Sequence, residues 1–410
     1  MAKPDIRLKG FEGEWKPKLL SGIAKFSKGH GYSKSDLCEH GSPIILYGRL
    51  YTNYRTEIDE VDTFVEMKEG SVLSKGGEII IPASGETPED IACASVVKSN
   101  GIILGGDLNV LSIEEKNYNP TFTALSISYG RVHNELAKYA QGKTVVHLHN
   151  AEISKATIHY PHGIEEQQSI ADYFKSLDSM IQGVTKKIAS LKQMKQACLV
   201  SMFPQAGETK PRVRFKGFKG EWECSPLSTF SKKVINKNNN LEIKITLTNS
   251  AEYGIINQLD FFDHDVSNGD NIRGYYVVEN DDFVYNPRVS TLAPVGPINR
   301  NQLGYAGVMS PLYYVFRVSG IDKDYLSCFF KTNLWHKFMK DNGNSGARFD
   351  RLSITDDMFV QMPILYPKSE GEQKQIASFF TSLDKQISLQ EARLEKLKQI
   401  KAACLDKMFV

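Results

Sequence analysis

Two long stretches of the chain repeat apolar residues at alternating steps of four and three, the spacing of a coiled-coil helix. The stretches are residues 161–204 and 367–410. In the first, the apolar positions are Ile170, Phe174, Leu177, Ile181, Val184, Ile188 and Leu191. In the second, they are Ile376, Phe380, Leu383, Ile387, Leu394 and Leu397, with Gln390 interrupting the pattern. We expect two long helices whose apolar stripes pack on each other; an ordinary core helix is the alternative.

The rest of the chain alternates short apolar runs with turn residues. Examples are PIILYG (43–48), GEIIIPASG (77–85) and LYYVFRV (312–318). Runs of this length between Gly, Pro and Asn predict mixed α and β structure with many strands. The sequence therefore predicts an α+β fold with one mixed α/β domain in residues 1–160 and a second, with its linker, in residues 205–366.

The chain is an internal duplication. PDIRLKGFEGEW (4–15) and PRVRFKGFKGEW (211–222) agree at eight of twelve positions, and residues 166–203 and 372–409 agree at 18 of 38. Residues 16–160 and 223–366 share little sequence. The segments that begin and end each copy are therefore repeated, and the region between them has diverged. This pattern favours two recognition domains with different ligands over a duplicated enzyme.

Connectivity predicts the arrangement of these parts. One domain precedes the first helix and the other follows it, so the second helix has to run back antiparallel for the two stripes to meet. We expect a pseudo-two-fold molecule with the domains roughly 50–60 Å apart, the length of a helix of that size.

These motifs resemble the DNA-specificity subunit of type I restriction-modification enzymes over essentially the whole chain. They are RLKGFEGEW with its copy RFKGFKGEW, and the Glu-Gln, Ile-Ala and Leu-Asp pairs that open both helices. GYSKSDL (31–37), IILYGRLYTNY (44–54), IPASGETPEDIA (81–92) and LGGDLNVL (104–111) add to the resemblance.

The resemblance implies a division of labour between subunits. Two target-recognition domains would each read half of a split site in double-stranded DNA. The helices would space them and dock two modification (methyltransferase) subunits, which restriction (translocase and nuclease) subunits join. S-adenosylmethionine, ATP and Mg²⁺ would belong to those partners, and this chain would hold no cofactor.

Composition limits the location of any DNA-binding surface. The 410 residues include 50 Lys and Arg against 48 Asp and Glu, a net charge of +2, so positive charge has to be concentrated locally. No run of eighteen apolar residues predicts a membrane span. The six cysteines form no CxxC pair, which indicates reduced thiols and a cytoplasmic protein.

Catalytic motifs are missing. Gly142, Lys143 and Thr144 resemble the end of a phosphate loop, but its first glycine would fall at Ala137. No amino-methyltransferase motif occurs beyond a partial echo at 285–288. His147 and His149 have no third ligand nearby, so we expect neither catalysis nor a metal.

Candidate DNA contacts are polar loops next to cations, because cations hold phosphates while donors and acceptors read base edges. The candidates in the first domain are Tyr32, Lys34, Arg49, Tyr51, Tyr54, Ser84, Thr87 and Lys143. Those in the second are Lys233, Lys237, Asn238, Asn286, Arg288, Ser345, Arg348 and Arg351. Lys143 and Arg348 stand out, because both domains have a Gly-rich polar loop at the same point. For any single residue, a solvated loop is the alternative.

Two other functions remain open at this stage. One is a structural adaptor whose helices dock proteins, which salt-sensitive duplex binding would exclude. The other is an enzyme with its own active site, against which the missing motifs argue.

Overall fold

The computed structural model describes residues 3–140, 142, 145–260, 271–344 and 350–409. The chain forms two compact units, the first from residues 1–186 and 390–410 and the second from residues 187–389. Both long helices are continuous and contribute one part to each unit.

The first unit combines strands with short helices. Its strands are β1 (Lys16–Leu19), β2 (Ala24–Lys28), β3 (Leu37–Cys38), β4 (Ser42–Ile45), β5 (Glu57–Ile58), β6 (Phe64–Val65), β7 (Glu78–Pro82), β8 (Ser84–Gly85), β9 (Ser95–Val97), β10 (Ile103–Leu104), β11 (Leu108–Ile113), β12 (Val146–His147) and β13 (Thr157–Tyr160). Its helices are α1 (Arg49–Thr52), α2 (Pro88–Ile91), α3 (Pro120–Ser128), α4 (Gly130–Tyr139), α5 (Asn150–Ile153) and the first part of α6 (Ile164–Ser201).

A five-stranded sheet, β2-β11-β7-β9-β5, is the centre of the first unit. Strand β7, which is the EIIIP run, is buried at every residue because sheet neighbours and helix α3 cover it. A four-stranded sheet, β10-β4-β6-β3, lies beside two-stranded pairs β1-β13 and β12-β8. Helix α3 begins where the side chain of Asn119 accepts the Phe122 N–H, a typical N-cap.

The second unit has different contents. Its strands are β14 (Glu223–Pro226), β15 (Ser231–Lys233), β16 (Leu247–Ser250), β17 (Gly254–Asn257), β18 (Tyr276–Val278), β19 (Phe283–Tyr285), β20 (Ile298–Arg300), β21 (Gly307–Met309), β22 (Tyr314–Val318) and β23 (Pro363–Tyr366). Its helices are α7 (Lys323–Phe329), α8 (His336–Asn342), α9 (Asp356–Phe359) and the first part of α10 (Glu370–Met408). The sheet β15-β22-β19-β20 is accompanied by pairs β14-β23, β16-β17 and β18-β21.

The repeated sequence motifs form the same lock in each unit. Arg7 donates two hydrogen bonds of 2.7 Å to Glu166, the first-turn carboxylate of α6, and a third to the carbonyl of Gly13. In the second unit, Arg214 donates to Glu372 of α10 at 2.7 and 2.8 Å and to the carbonyl of Gly220. This lock ties the segment that enters each domain to the first turn of the long helix that leaves it.

The long helices pair antiparallel within each unit. In the first, Asp178 of α6 forms an ion pair with Lys401 of α10, and Tyr173, nearer the start of α6, meets Cys404, nearer the end of α10. In the second, Lys195 donates to Asp384 at 2.5 Å. The two mixed α/β units and their long helices confirm the predicted fold class.

The predicted stripe residues differ in burial. Those that are buried are Ile170, Phe174, Leu177, Val184, Ile188, Leu191, Ile376, Phe380, Leu383 and Ile387. Those that are half-buried are Ile181, Leu394 and Leu397. In the described part of the chain, no helix is both long and apolar enough to cross a membrane.

Candidate nucleic-acid interface

Two arginines face each other in the second unit, where the sequence predicted two separate contact loops. Arg288 pairs with Arg351 in an antiparallel bridge, flanked by hydrogen bonds of 2.9 Å from Leu352 N to Pro287 O and from Val289 N to Asp350 O. The structure therefore brings these two candidates together on neighbouring extended segments.

The charges of this arginine pair are poorly compensated. Like charges directly opposite each other destabilise a strand pair. Arg351 has an ion pair with Asp350 at 3.9 Å, the limit of such a contact. The exposed guanidinium of Arg288 has no hydrogen bond or ion pair to any residue that the structure describes. A phosphate would relieve this repulsion by its charge, and the neutral edge of a guanine would offer the guanidinium groups two acceptors.

Asn286 shapes the turn that carries Arg288. Its side-chain oxygen accepts the Arg288 N–H at 3.0 Å, and its amide donates to the carbonyl of Asn249 at 2.9 Å. Asn249 is itself buried and bonded to Asn299 at 2.7 Å. Asn286 thus acts as a support for Arg288, with its own polar atoms engaged inside the fold.

Two lysines of the second unit lie against tyrosine rings. Lys233 forms an ion pair with Asp356, and its ammonium group is 5.3 Å from the ring centre of Tyr314. The exposed Lys237 lies 6.0 Å from the ring centre of Tyr276. A cation over an aromatic face is held weakly in water, so both lysines can exchange these partners for a phosphate.

Tyr32 and Lys34 lie on one loop of the first unit. Tyr32 has a φ of 59°, which is uncommon for a side chain of this size. Its hydroxyl accepts the Lys68 N–H at 2.7 Å and pairs with the Ser71 hydroxyl at 2.6 Å, so the ring is fixed. The ammonium group of Lys68 lies 4.9 Å from the centre of this ring, and Lys34 is exposed in the neighbouring 3₁₀ turn Lys34–Asp36.

Helix α1 carries two further candidates with different surroundings. Arg49 forms an ion pair with Asp62, and this hydrogen bond lowers the pKa of the Asp62 carboxyl. Tyr51 is half-buried, its ring centre 6.3 Å from that of Tyr47, and desolvation raises the pKa of its hydroxyl. Both side chains reach the surface and remain candidates.

The edge formed by β8 and β12 holds another set. Thr87 caps α2 by accepting the Asp90 N–H at 3.1 Å, and the residue is exposed. The register pairs Val146 with Gly85, so the turn after β8 lies next to the first residue of β12, where the preceding loop ends. Lys143 of that loop lies outside the described residues, as do Ser345 and Arg348 in the second unit.

Besides Asn286, three more predicted contacts are engaged inside the fold. The Tyr54 hydroxyl donates to the carbonyl of Ala94 at 3.1 Å, and its burial raises the pKa of that hydroxyl well above the usual value. Ser84 is buried and bonds to the imidazole of His147 at 3.1 Å. The buried Asn238 bonds to both backbone groups of Ile243. Direct contact with DNA would break these bonds, so this finding corrects the expectation for the three residues.

The histidine pair His147 and His149 makes no metal site with other described residues. The two rings stack, with centres 6.2 Å apart and an interplanar angle of 8°. No group of three His, Cys, Asp or Glu side chains suited to a metal ion occurs in the described part of the chain.

The long helices expose apolar side chains. In the first unit, Met180 of α6 is 39% exposed and Ile400 of α10 is 38% exposed. In the second, Met194 and Val200 of α6 are 44% and 53% exposed, and Leu389 of α10 is 59% exposed. Exposed apolar side chains on these helices are available for contact with a protein partner.

A cleft of about 1410 Å³ runs along the helices of the first unit. Its cationic lining residues are Arg55, Lys175, Lys186, Lys398 and Lys401, and its acidic ones include Asp59, Glu60, Asp178 and Asp406. The half-buried Ile181 of the predicted stripe also lines it. Because the lining carries both signs of charge, the cleft lacks the uniformly positive surface that attracts a polyanion.

Sequence reasoning missed two groups of residues. One is the pair of locks, although Arg7 and Arg214, and likewise Glu166 and Glu372, occupy matching positions of the two copies. The other is Tyr276, Tyr313 and Tyr314, which line a pocket in the second unit. Their signal was only a strand-like run, so the sequence held nothing to identify them.

Comparison with known proteins gives one family and several related folds. The family model described as "Type I restriction modification DNA specificity domain" matches residues 12–193 and 221–399. No curated protein is similar enough to count as a match.

Three solved structures are similar to the chain. The S subunit of a type I restriction-modification system from M. genitalium is 12% identical, covers 100% of this chain and 99% of its own, and gives a TM-score of 0.60. A chain from a study of complex assembly and conformational transition in the type I R-M system is 14% identical over 98% and 99%, with a TM-score of 0.52. The HsdS subunit from Thermoanaerobacter tengcongensis is 14% identical over 96% of each chain, with a TM-score of 0.48. At these identities the first two establish the fold alone.

Proposed function

We propose, from the premise that this chain belongs to the family of type I restriction modification DNA specificity domains, that it reads a split, asymmetric DNA target for a multisubunit enzyme. The family confirms the resemblance drawn from the repeated motifs. It makes the chain the specificity component of such a system, whose role is DNA sequence recognition and not catalysis.

The observation that supports a split target is that both units repeat the same long helix and arginine–glutamate pair but contain different sheets. Both units have the lock of an arginine with the first-turn glutamate of a long helix. The sheets of the two units differ, with a central five-stranded sheet in the first unit and a four-stranded sheet in the second. Two surfaces of different shape and side chains would read two unlike half-sites.

Exchange of one domain tests this proposal. Residues 223–366 would be replaced by the matching region of a relative, and the methylated sequence determined by sequencing the methylome of a host that also carries the modification subunits. We expect one half-site to change and the other to stay. A change in both halves would contradict the modular proposal.

Partner docking is the second part of the proposal. The exposed apolar side chains on α6 and α10 would contact modification subunits, one for each unit, and restriction subunits would join this core. Leu389→Asp is expected to weaken assembly with the modification subunit at least tenfold in titrated native mass spectra. Ser388→Asp, an exposed polar position next to it, is the control. Equal assembly by both variants would exclude this helix face.

The cofactors belong to the partners in this proposal. S-adenosylmethionine would be bound by the modification subunits, and ATP with Mg²⁺ by the restriction subunits, all in the cytoplasm with the DNA. The purified chain alone is expected to bind duplex DNA in a salt-dependent way and to transfer no methyl groups. Methyl transfer by the isolated chain would contradict this assignment. Duplex binding that does not depend on salt would favour the alternative function, a structural adaptor that docks proteins.

A further inference from the structure

A pocket of about 190 Å³ opens next to the arginine pair of the second unit. Two of its lining residues, Pro287 and Leu352, are the chain neighbours of Arg288 and Arg351 and are joined by a hydrogen bond of 2.9 Å. The pocket therefore belongs to the surface on which we place DNA, although neither the sequence nor the family assigns it a ligand.

Aromatic, aliphatic and polar side chains line the pocket. Tyr285 and Phe359 are almost fully buried, with ring centres 5.0 Å apart, and Tyr314 lies 4.7 Å from Phe359. Tyr276, Tyr313, Pro311 and Leu312 complete the apolar wall. The polar groups are Lys233, Ser353 and Asp356.

The size and the chemistry of the pocket select a small planar ligand. Sites that enclose a cofactor or a drug-sized molecule usually measure roughly 300–1,000 Å³, so this one has room for one or two fused rings. Aromatic walls stack on such rings, as proteins do with unpaired bases. Burial, with Asp356 and Asp357 nearby, raises the pKa of the Tyr314 hydroxyl to about 12, so it stays a hydrogen-bond donor. Asp356 and Lys233 form an ion pair with each other; on exchange of that pair, Asp356 supplies an acceptor for the ligand and Lys233 a cation for a phosphate.

We propose that this pocket receives a single nucleobase turned out of the duplex that the second unit reads. The base would stack among the tyrosines while Lys233 and the two arginines hold the adjoining phosphates. This inference rests on the proposed DNA-reading function and adds to it a step of local unpairing. Turning out a base is easiest where its pairing is already weak, which gives the inference a measurable consequence.

The test uses the full chain alone and its recognised duplex, once the methylome has given that sequence. A series of duplexes is made, in each of which one base of the second half-site is kept and the base that pairs with it is replaced by an abasic site. With wild-type protein, we expect one position at which this change tightens binding about tenfold, because the unpairing no longer opposes binding. 2-Aminopurine at that position is expected to report an unstacked base.

Two variants fill the pocket from exposed positions of its lining, Ser353→Phe and Leu312→Trp. Both are expected to lose the tenfold gain at that position and to keep their salt dependence. Ser319→Phe, at an exposed position outside the lining, is the matched control and is expected to keep the gain. Thermal unfolding of all three variants verifies that they fold. If Ser353→Phe does not fold, the test rests on Leu312→Trp.

The outcomes distinguish failure of this inference from failure of the proposed DNA-reading function. A duplex bound specifically, but with no position that gains from an abasic partner, overturns the pocket and leaves the recognition function intact. A gain that persists in both filled variants overturns it as well. Tight binding of free deoxynucleoside monophosphates that Ser353→Phe abolishes would make the pocket a nucleotide site instead. If the wild-type chain shows no sequence-specific binding to DNA, the proposed function itself is contradicted.

Discussion

At the residue scale, two like charges of the second unit, the exposed Arg288 and the half-buried Arg351, oppose each other at a cost in stability. Arg288 and Arg351 lie directly opposite each other, a placement that weakens a strand pair by itself. The turn is nevertheless well supported, since the Asn286 side chain bonds to both Arg288 and Asn249. A supported turn that presents poorly compensated cations is expected where a polyanion binds.

Replacement of either arginine tests that interpretation. Arg288→Ala and Arg351→Ala are each expected to weaken duplex binding, by about 1–3 kcal/mol if the guanidinium contacts a guanine. Such a loss would relax the preference at one base position. A phosphate contact would instead weaken binding to all sequences and reduce the slope of log K against log salt by about 0.9. Fluorescence anisotropy at several salt concentrations distinguishes the two.

Arg212→Ala is the control for that experiment, because Arg212 is exposed on the linker and paired with Glu208. If both Arg288→Ala and Arg351→Ala bind like this control, the arginine pair takes no part in recognition. Arg348, which the sequence favoured in the same loop region, can be tested in the same way.

The arginine–glutamate locks lead to a prediction about stability. Arg214→Ala leaves the Glu372 carboxylate, only 2% exposed, without its partner, and breaking a buried pair from one side costs about 3–5 kcal/mol. Arg212→Ala removes an exposed ion pair two residues away and is expected to cost less than about 1 kcal/mol. Urea unfolding of the two variants makes the comparison. Equal losses would show that the lock adds nothing to the stability of the second unit.

At the scale of elements, the sequence predicted the helices well because their signal is local and periodic. The stripe residues nearest each domain, such as Ile170, Phe174, Ile376 and Phe380, are buried as a repeating stripe requires. Ile181, Leu394 and Leu397 are only half-buried. Burial of a stripe residue depends on what stands opposite it, and the period carries no information about that.

The strands and the candidate contacts were less predictable, for the same reason. Strand order depends on partners far along the chain, as when β2 pairs with β11. Tyr54, Ser84 and Asn238 have polar side chains in loop-like sequence, yet each finds a partner inside the fold. Sequence identified which loops were polar; which side chains face outward is decided by tertiary hydrogen bonds.

Leucines on one helix give a test of the stripe. Leu383→Ala removes a side chain that is 4% exposed in the core of the second unit and is expected to cost about 2–5 kcal/mol. Leu389→Ala, the same change on the same helix at 59% exposure, is expected to stay within about 0.5 kcal/mol. Thermal and urea unfolding measure both. A large loss for Leu389→Ala would mean that this exposed face already packs on the chain itself.

At the scale of the whole molecule, the first unit joins the two ends of the chain. The Ile6 N–H donates to the carbonyl of Lys407, near the end of α10, at 3.1 Å. In the second unit, the Val213 N–H donates to the carbonyl of Ser201, the end of α6, at 2.9 Å. These contacts are equivalent in the two copies, and in the second unit residues 202–212 connect the two partners of the contact.

This equivalence predicts that the chain tolerates circular permutation. Eleven residues, 202–212, connect Ser201 to Val213, whereas eight residues, 408–410 and 1–5, flank the matching gap. Three added residues between Val410 and Met1 therefore reproduce the length of the natural connection. New ends would be opened after Gly207, which is exposed in the linker. Because the packing of both units is kept, we expect this permutant to match the parent in circular dichroism, melting temperature within a few degrees, and duplex affinity.

A permutant opened after Gly183, inside α6, is the control and is expected to melt lower, since it breaks hydrogen bonds of a continuous helix. If the Gly207 permutant fails to fold with either a three-residue or a longer flexible connection, the two junctions are not equivalent.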